Sequence, residues 1–187
     1  MRRLLASVDR GSPNGKRDYA ILLSVARLGM RAQDIKEIRL NNLNWAVRNI
    51  EIIQHKTKQR ACYPMLDDIG WAIIDYLKNG RPKTESPNLF VRHNAPFEAF
   101  GTGAGLYNII AKYTRLAGIH LRTGASRGMH SLRHTLAGVL LEQGTPLPVI
   151  SEILGHMSTL STGVYLKIDF EGLLQCALDP DVVFCHD

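Results

Sequence analysis

The residue types best suited to chemistry lie in the last third of the chain. His130 and Arg133 belong to the run His-Ser-Leu-Arg-His, His156 ends a Leu-Gly-His triplet, and Tyr165 follows nine residues later. A guanidinium offers a phosphate a fixed fork of hydrogen-bond donors, and an imidazole can transfer a proton near neutral pH. A phenol can act as the nucleophile of a covalent step. These types and spacings favour attack on a phosphodiester by tyrosine.

The elements that must position these residues are mostly helical. His130 and Arg133 are three residues apart at the start of a predicted helix, so their side chains face the same way. Apolar periodicity and turn residues predict helices over 16–28, 32–38, 67–79, 105–117, 131–143, 147–154, 158–165 and 170–177. Residues 49–54 and 60–65 are predicted to pair as strands around a polar tip at 55–59, and 89–91 to be extended. The predicted fold class is mainly α with a small antiparallel β-sheet (α+β).

Length and composition predict a globular protein that does not span a membrane. A chain of 187 residues with 45% hydrophobic and 21% charged residues can bury a substantial core. No apolar run approaches the ~20 residues that cross a bilayer. Cys62, Cys176 and Cys185 are scattered without a CxxC pair, which argues against a zinc site or a disulfide framework and for a reducing compartment. We therefore expect a cytoplasmic protein.

Positive charge is concentrated in the first third. Residues 1–60 contain 13 Lys and Arg against 5 Asp and Glu, whereas residues 61–187 contain 10 basic and 12 acidic residues. This asymmetry suits a protein with one face against a polyanion. A solvated basic surface without a partner is the alternative for any single cluster.

With Arg31 and Lys56 added, the pattern resembles the catalytic domain of tyrosine recombinases, the phage-integrase family. The resemblance covers about residues 12–178, nearly the whole chain. Its anchors are Leu28-Gly29-Met30-Arg31, Lys56-Thr57-Lys58, Pro64-Met65, His130-Ser131-Leu132-Arg133-His134, Leu154-Gly155-His156 and Val164-Tyr165. Six matched residue types in the right order, on elements of the right kind, form a specific signal.

The resemblance implies a role for each residue, and the chemistry demands the same roles. Displacing a DNA 5′-oxygen places charge on the non-bridging phosphate oxygens, so Arg31 and Arg133 are expected to clamp them. Tyr165 is expected to attack and become joined to the 3′-phosphate, while His130 takes or returns its proton.

Two further residues complete the predicted site. Lys56, on the hairpin, is expected to protonate the departing 5′-hydroxyl, and His156 to hydrogen-bond the phosphoryl group. No cofactor and no metal are expected, because the phosphotyrosine retains the bond energy for rejoining. The sequence has neither a GxxxxGK[ST] loop nor a carboxylate cluster for Mg²⁺.

Several assignments have alternatives. Lys58 competes with Lys56 as the hairpin lysine, although the family usually uses the first lysine after the strand. Tyr165 could be a core tyrosine at a helix end, and Arg31 taken alone could be a surface residue. His134 is expected to be a packed or capping residue, as are His55 and His120. Asp34 resembles the family's acidic position and is expected to support the site.

At the level of the whole protein, the sequence predicts one catalytic domain over 1–187 that lacks the family's amino-terminal DNA-clamping domain. Its predicted function is site-specific recombination of double-stranded DNA, with no small-molecule substrate. Type IB topoisomerase-like relaxation and a non-catalytic DNA-binding module are the alternatives. The tail, 169–187, is expected either to link protomers of a homotetramer on DNA or to pack on its own domain.

Overall fold

A computed structural model describes residues 1–101, 105–120 and 128–155. The chain divides into two compact units, Met1–Leu136 and Ala137–Asp187. The first unit contains α1 (Arg2–Ala6), α2 (Pro13–Leu28), α3 (Ala32–Glu37), β1 (Leu43–Asn44), β2 (Asn49–Ile53), β3 (Arg60–Pro64), α4 (Asp67–Asn79) and α5 (Gly105–Leu116). Helix α6 (Met129–Glu142) begins in the first unit and ends in the second, which also contains α7 (Leu147–Ile153).

Helix α2 is the central element of the first unit. The Ser12 Oγ accepts a hydrogen bond from the Gly15 N–H at 3.1 Å, and Pro13 occupies the first helical position, which is the start that these residue types favour. The helix ends at Gly29, whose φ of 62° is left-handed, and the predicted last helical residue, Leu28, is confirmed. Its buried residues cover most of its circumference, and it packs against α4. Packing of these buried residues therefore holds the C-terminal end of α2, after which the chain continues into α3.

The three strands form an antiparallel sheet in the order β1-β2-β3. Ile50 pairs with Tyr63 and Ile53 with Arg60, so the register closes a hairpin over 54–59. Ile50, Ile52 and Tyr63 are buried, whereas Ile53 points to solvent. This alternation sets one face of the sheet on the core and leaves the hairpin tip projecting from it.

The predicted fold class is confirmed, and the bounds of the predicted helices and of the two hairpin strands agree to within three residues wherever the structure describes them. The predicted extended piece over 89–91 is not a strand, and its Val91 forms an isolated β-bridge with Ala99. The sequence patterns did not indicate α1 or β1. The five residues of α1 are too few for a periodic signal, and Leu4 alone is its buried residue. The two residues of β1 form a strand only because Leu43 and Asn44 pair with β2. Predicted helices over 158–165 and 170–177 lie outside the described residues.

The described part of the second unit is short. Gly144, with a φ of 77°, ends the turn after α6, and α7 follows Pro146. Ile150 and Leu154 are buried. Among the described residues, no helix is both long and apolar enough to span a membrane.

Candidate active site

Arg31 lies at the bend between α2 and α3. Gly29 turns the chain, Met30 is buried at 1% exposure, and Arg31 adopts an extended conformation as the N-cap residue of α3. Its guanidinium is largely buried, with the Nη1 atom 3.9 Å from the Oδ2 atom of the buried Asp34. The bend therefore holds a positive charge in partly desolvated surroundings beside a carboxylate.

Arg133 contacts the same bend, although it lies far from it in the sequence. It lies on α6 within the first unit and is only 2% exposed. Its Nη1 donates a hydrogen bond to the carbonyl of Gly29, two residues before Arg31. A buried guanidinium that is tied to backbone in this way has a fixed position, so the carbonyl of Gly29 orients the second arginine.

The phenol of Tyr63 lies within the electrostatic influence of both arginines. Burial raises the pKa of the Tyr63 phenol, and the hydrogen bond from Gln54 opposes that rise. The positive charges of Arg133 and Arg31 also lower this pKa, while Asp34 raises it. Both guanidiniums are therefore close enough to the same buried phenol to act on it. Tyr63 itself is a core residue.

His130 lies at the start of α6, where neighbouring groups favour its neutral form. Desolvation lowers the pKa of the imidazole most, followed by the charges of His134, Arg133, Arg31 and Lys56. The rings of His130 and His134 meet edge to face, with centroids 4.3 Å apart. A histidine that is neutral at pH 7 can accept a proton, which is the property required of a general base.

Lys56 lies at the exposed tip of the β2–β3 hairpin. Its charge contributes to the lowered pKa of His130, so the ammonium belongs to the same electrostatic region as the two arginines. The hairpin is shaped by Gln54, whose backbone N–H donates to Gln59 O at 2.8 Å and whose carbonyl accepts from Lys58 N at 2.9 Å. Lys58 adopts a left-handed φ of 56°. The choice of Lys56 over Lys58 stays a prediction.

The other two predicted site residues, His156 and Tyr165, lie outside the described residues. The structure describes this segment as far as Gly155, which follows α7 with a left-handed φ of 59°. The Gly155 N–H donates to Glu152 O at 2.8 Å. The roles of His156 and Tyr165 stay predictions.

Sequence reasoning did not identify Glu37 and His55 as part of the site. The Nδ1 atom of His55 is 2.7 Å from the Oε1 atom of Glu37, and the same oxygen accepts a hydrogen bond from Gln33 Nε2 at 2.7 Å. The backbone N–H of His55 donates to Asp34 Oδ1 at 2.8 Å. The Gln33–Glu37 pair is legible in the sequence as an i,i+4 contact. The contact with His55 depends on the tertiary placement of the hairpin.

This arrangement is suited to a phosphodiester. Two guanidiniums beside a neutral imidazole combine charge for the phosphate oxygens with a proton acceptor. An ammonium on a neighbouring hairpin adds a possible proton donor. Arg31, Arg133, His130 and Lys56, four of the six predicted site residues, belong to this one region.

The comparisons with known proteins agree with the geometry. The family model described as Phage integrase family matches residues 1–171. The chain is 38% identical over 174 residues to "Putative integrase/recombinase y4gC" of Sinorhizobium fredii, covering 93% of this chain and 88% of that protein. It is 30% identical to the tyrosine recombinase XerD of Listeria innocua, covering 89% of this chain and 55% of XerD.

Solved structures show the same fold. The XerA recombinase superposes with a TM-score of 0.75 at 24% identity, covering 94% of this chain and 60% of XerA. XerH, solved in a post-cleavage complex with its palindromic difH substrate, also gives a TM-score of 0.75, at 20% identity and covering 94% of this chain and 50% of XerH. The chain thus spans about half the length of several proteins that it matches.

Proposed function

Because the chain belongs to the phage integrase family, we propose that it is the catalytic domain of a site-specific DNA recombinase. In this proposal it cleaves and rejoins DNA strands through a covalent 3′-phosphotyrosine intermediate. Integration, excision and transposition of a mobile element are the processes that such chemistry serves. The target DNA sequence depends on contacts in the grooves.

One observation carries the proposal: Arg133 donates a hydrogen bond to the carbonyl of Gly29, two residues before Arg31, although 102 residues separate the two arginines in the sequence. Removing two guanidiniums from water costs desolvation free energy. This cost indicates that the two charges have a function. Phosphoryl transfer provides that function, because its transition state carries negative charge on the non-bridging oxygens.

The proposed reaction divides the work among the remaining groups. The Tyr165 oxygen forms a bond to phosphorus and loses its proton to His130. The bond from phosphorus to the DNA 5′-oxygen breaks, and Lys56 supplies the proton that this oxygen needs. His156 donates a hydrogen bond to the phosphoryl group. Rejoining runs the same steps backwards, with the 5′-hydroxyl as nucleophile.

The proposed partner is double-stranded DNA. The excess of basic residues over 1–60 supports this proposal, as does the likeness to XerH, which was solved with DNA. We expect binding to weaken steeply with salt, because each phosphate contact releases counterions. A logarithmic plot of affinity against salt concentration with a slope near zero would exclude DNA as the ligand.

The test of covalent chemistry is a DNA substrate nicked beside the cleavage site, from which the short product escapes so that rejoining fails. The wild-type chain should form an adduct that resists denaturation, and Tyr165→Phe should form none. Tyr107→Phe is the matched control, since Tyr107 is an exposed tyrosine on α5. Equal adducts from wild type and Tyr165→Phe would refute the assignment of the nucleophile. Relaxation of supercoiled plasmid without strand exchange would favour the topoisomerase alternative.

We further propose that the protein acts as a homotetramer on DNA in the bacterial cytoplasm, at the nucleoid. An apolar set in the tail supports this assembly in the sequence: Phe170, Leu173, Leu174 and Ala177. The set lies outside the described residues, and packing on its own domain is the alternative. Sedimentation at several concentrations, with and without DNA, distinguishes the two. A monomer at every concentration, and on DNA, would refute the assembly.

A further inference from the structure

The hairpin that carries Lys56 has to be held, because its tip projects from the sheet. Lysine has a long side chain that loses substantial conformational entropy when it adopts one position. Lys56 is exposed, and its neighbours at the tip are largely exposed too. A proton donor at such a site depends on contacts that place its backbone.

One set of contacts shapes the hairpin from inside. Gln54 is 4% exposed, its Oε1 accepts a hydrogen bond from Thr57 Oγ1 at 2.7 Å, and its Nε2 donates to the Tyr63 hydroxyl at 3.1 Å. These bonds fix the conformation of the tip relative to its own strands. They do not reach α3, the helix whose N-cap residue is Arg31.

A second set of contacts ties the hairpin to α3. The Nδ1 atom of His55 lies 2.7 Å from Glu37 Oε1, and Gln33, one turn earlier on the helix, donates to the same oxygen. The backbone N–H of His55 adds a bond to Asp34. We call Gln33, Glu37 and His55 the α3–hairpin clasp.

The clasp joins two parts of the predicted site through a short path. His55 immediately precedes Lys56, and Arg31 is the N-cap residue of α3. The six residues of α3 follow Arg31 directly, and Glu37 is the last of them. The contact between Glu37 and His55 therefore helps to fix the backbone of Lys56 relative to Arg31, one of the two proposed phosphate-binding arginines.

We propose that Glu37, acting through His55, is a positioning residue for Lys56 and sets the efficiency with which Lys56 protonates the departing DNA 5′-oxygen. This inference rests on the proposed function, since it takes Lys56 to be the proton donor. Glu37 touches neither DNA nor the reacting atoms in this account. The hydrogen bond from His55 N to Asp34 does not involve the side chain of Glu37 and should persist in its absence. Loss of the clasp should therefore shift Lys56 only in part from its position.

The chemistry of the leaving group provides a selective readout. When the bond from phosphorus to the 5′-oxygen breaks, its electron pair goes to an alkoxide that requires a proton from Lys56. When sulfur replaces that oxygen, the electron pair goes to a thiolate, and a thiol has a pKa of about 8.5. A thiolate leaves without a proton donor. Cleavage of the sulfur substrate therefore does not depend on where Lys56 lies.

The experiment measures single-turnover adduct formation by the full chain on two matched DNA substrates, one with oxygen and one with sulfur at the scissile 5′ position. The variants are Glu37→Ala, Glu37→Gln and His55→Ala, with Lys56→Ala as the reference. Glu51→Gln is the matched control, because Glu51 is an exposed glutamate on β2 opposite Cys62. Circular dichroism and thermal unfolding of each variant verify that it folds.

We expect Glu37→Ala and His55→Ala to slow cleavage of the oxygen substrate about ten-fold, a fraction of the ~10²-fold or more that a proton donor contributes. The sulfur substrate should be cleaved at the wild-type rate. Glu37→Gln should recover most of the loss, because its amide oxygen can still accept from His55. In the Lys56→Ala background, Glu37→Ala should add no further loss on the oxygen substrate.

Equal losses on the oxygen and sulfur substrates would overturn the inference, because they would indicate a general defect. A wild-type rate for Glu37→Ala on both substrates would overturn it as well. If Lys56→Ala is selective for oxygen while Glu37→Ala is not, only the positioning role fails. If Lys56→Ala shows no selectivity, Lys56 is not the proton donor, and the proposed function fails at that step together with this inference.

Discussion

The arginine region and the lysine hairpin hold their charges in opposite ways. Arg133 is 2% exposed and bonded to the carbonyl of Gly29, and Arg31 is largely buried beside Asp34. Lys56 is exposed, and the residues that tie its hairpin to α3, Glu37 and His55, are themselves about half exposed. The arginines are thus fixed by packing, whereas the lysine hairpin depends on hydrogen bonds, of which those of Glu37 and His55 lie at the surface.

This difference matches the task that we propose for each charge. A phosphate clamp contributes most when its donors are preorganised and need not reorient during the reaction. Burial achieves this at the cost of desolvating the guanidinium, which the bonded carbonyl partly offsets. A proton donor must instead approach a leaving oxygen, and a compact ammonium on a flexible stem suits that task. We expect mutations in the two regions to separate stability from rate.

Removal of the buried guanidinium should have the largest effect. Arg133→Ala should reduce adduct formation on the order of 10³-fold. It should also lower the free energy of unfolding by about 2–3 kcal/mol, because the Gly29 carbonyl loses a charged donor. Arg133→Lys keeps the charge without the fork and should recover stability better than rate. Denaturant unfolding and single-turnover cleavage test both parts, and an alanine variant of wild-type stability would contradict the packing role.

The hairpin lysine should affect rate alone. Lys56→Ala should slow cleavage about 100-fold while changing the free energy of unfolding by less than about 0.5 kcal/mol, as is usual for exposed positions. Lys58→Ala is the matched control and should leave the rate near that of the wild type. A larger loss for Lys58→Ala than for Lys56→Ala would reverse the assignment of the hairpin lysine.

The pH dependence of cleavage should report on His130, which lies between the two regions. Its lowered pKa keeps the imidazole neutral at pH 7, so the rate should be flat there and fall about tenfold per unit once pH drops below that pKa. His134→Ala removes one of the charges that lower this pKa, so the decline should begin at a higher pH. A single-turnover pH profile measures the shift, and an unchanged profile would exclude His130 as the base.

Acid should also destabilise the fold through the same group. The folded-state pKa of His130 lies below the ordinary value of about 6.5, so the unfolded chain binds its proton more readily. The contribution of His130 to stability is therefore present above pH 6.5 and declines as pH falls through the folded-state pKa. Denaturant unfolding of wild type and His130→Gln at pH 5 and pH 7.5 should show a smaller pH effect in the variant.

Backbone conformation gives the smallest expected difference. Gly29 and Lys58 both adopt left-handed φ angles, 62° and 56°. Gly29→Ala should cost about 1 kcal/mol of unfolding free energy, because a Cβ is disfavoured in that conformation. Lys58→Gly should be neutral or stabilise by a few tenths of a kcal/mol, since relief of strain is offset by added freedom in the unfolded chain. Thermal unfolding measures both changes, and destabilisation by Lys58→Gly would show that its side chain supports the hairpin.

Local signals were sufficient for the elements that position the site. Gly29 ends α2 where the sequence indicated, because a left-handed residue after a helix is a property of glycine itself. The two strands and their polar tip follow from β-branched residues on either side of 55–59. The type and order of the six predicted site residues were likewise legible, since the family pattern is matched along the chain and not in space.

Only the tertiary structure decided how these residues meet. The bond from Arg133 to the Gly29 carbonyl joins positions 104 residues apart, and no local pattern encodes a partner at that distance. The contact of Glu37 with His55 depends on how a hairpin leans against a short helix, which packing of the whole core determines. The lowered pKa of His130 arises from burial and from charges on three separate elements. The residue types determined that phosphate-binding and proton-transfer groups were present. Long-range packing determined where each charged group lies and how strongly its position is restrained.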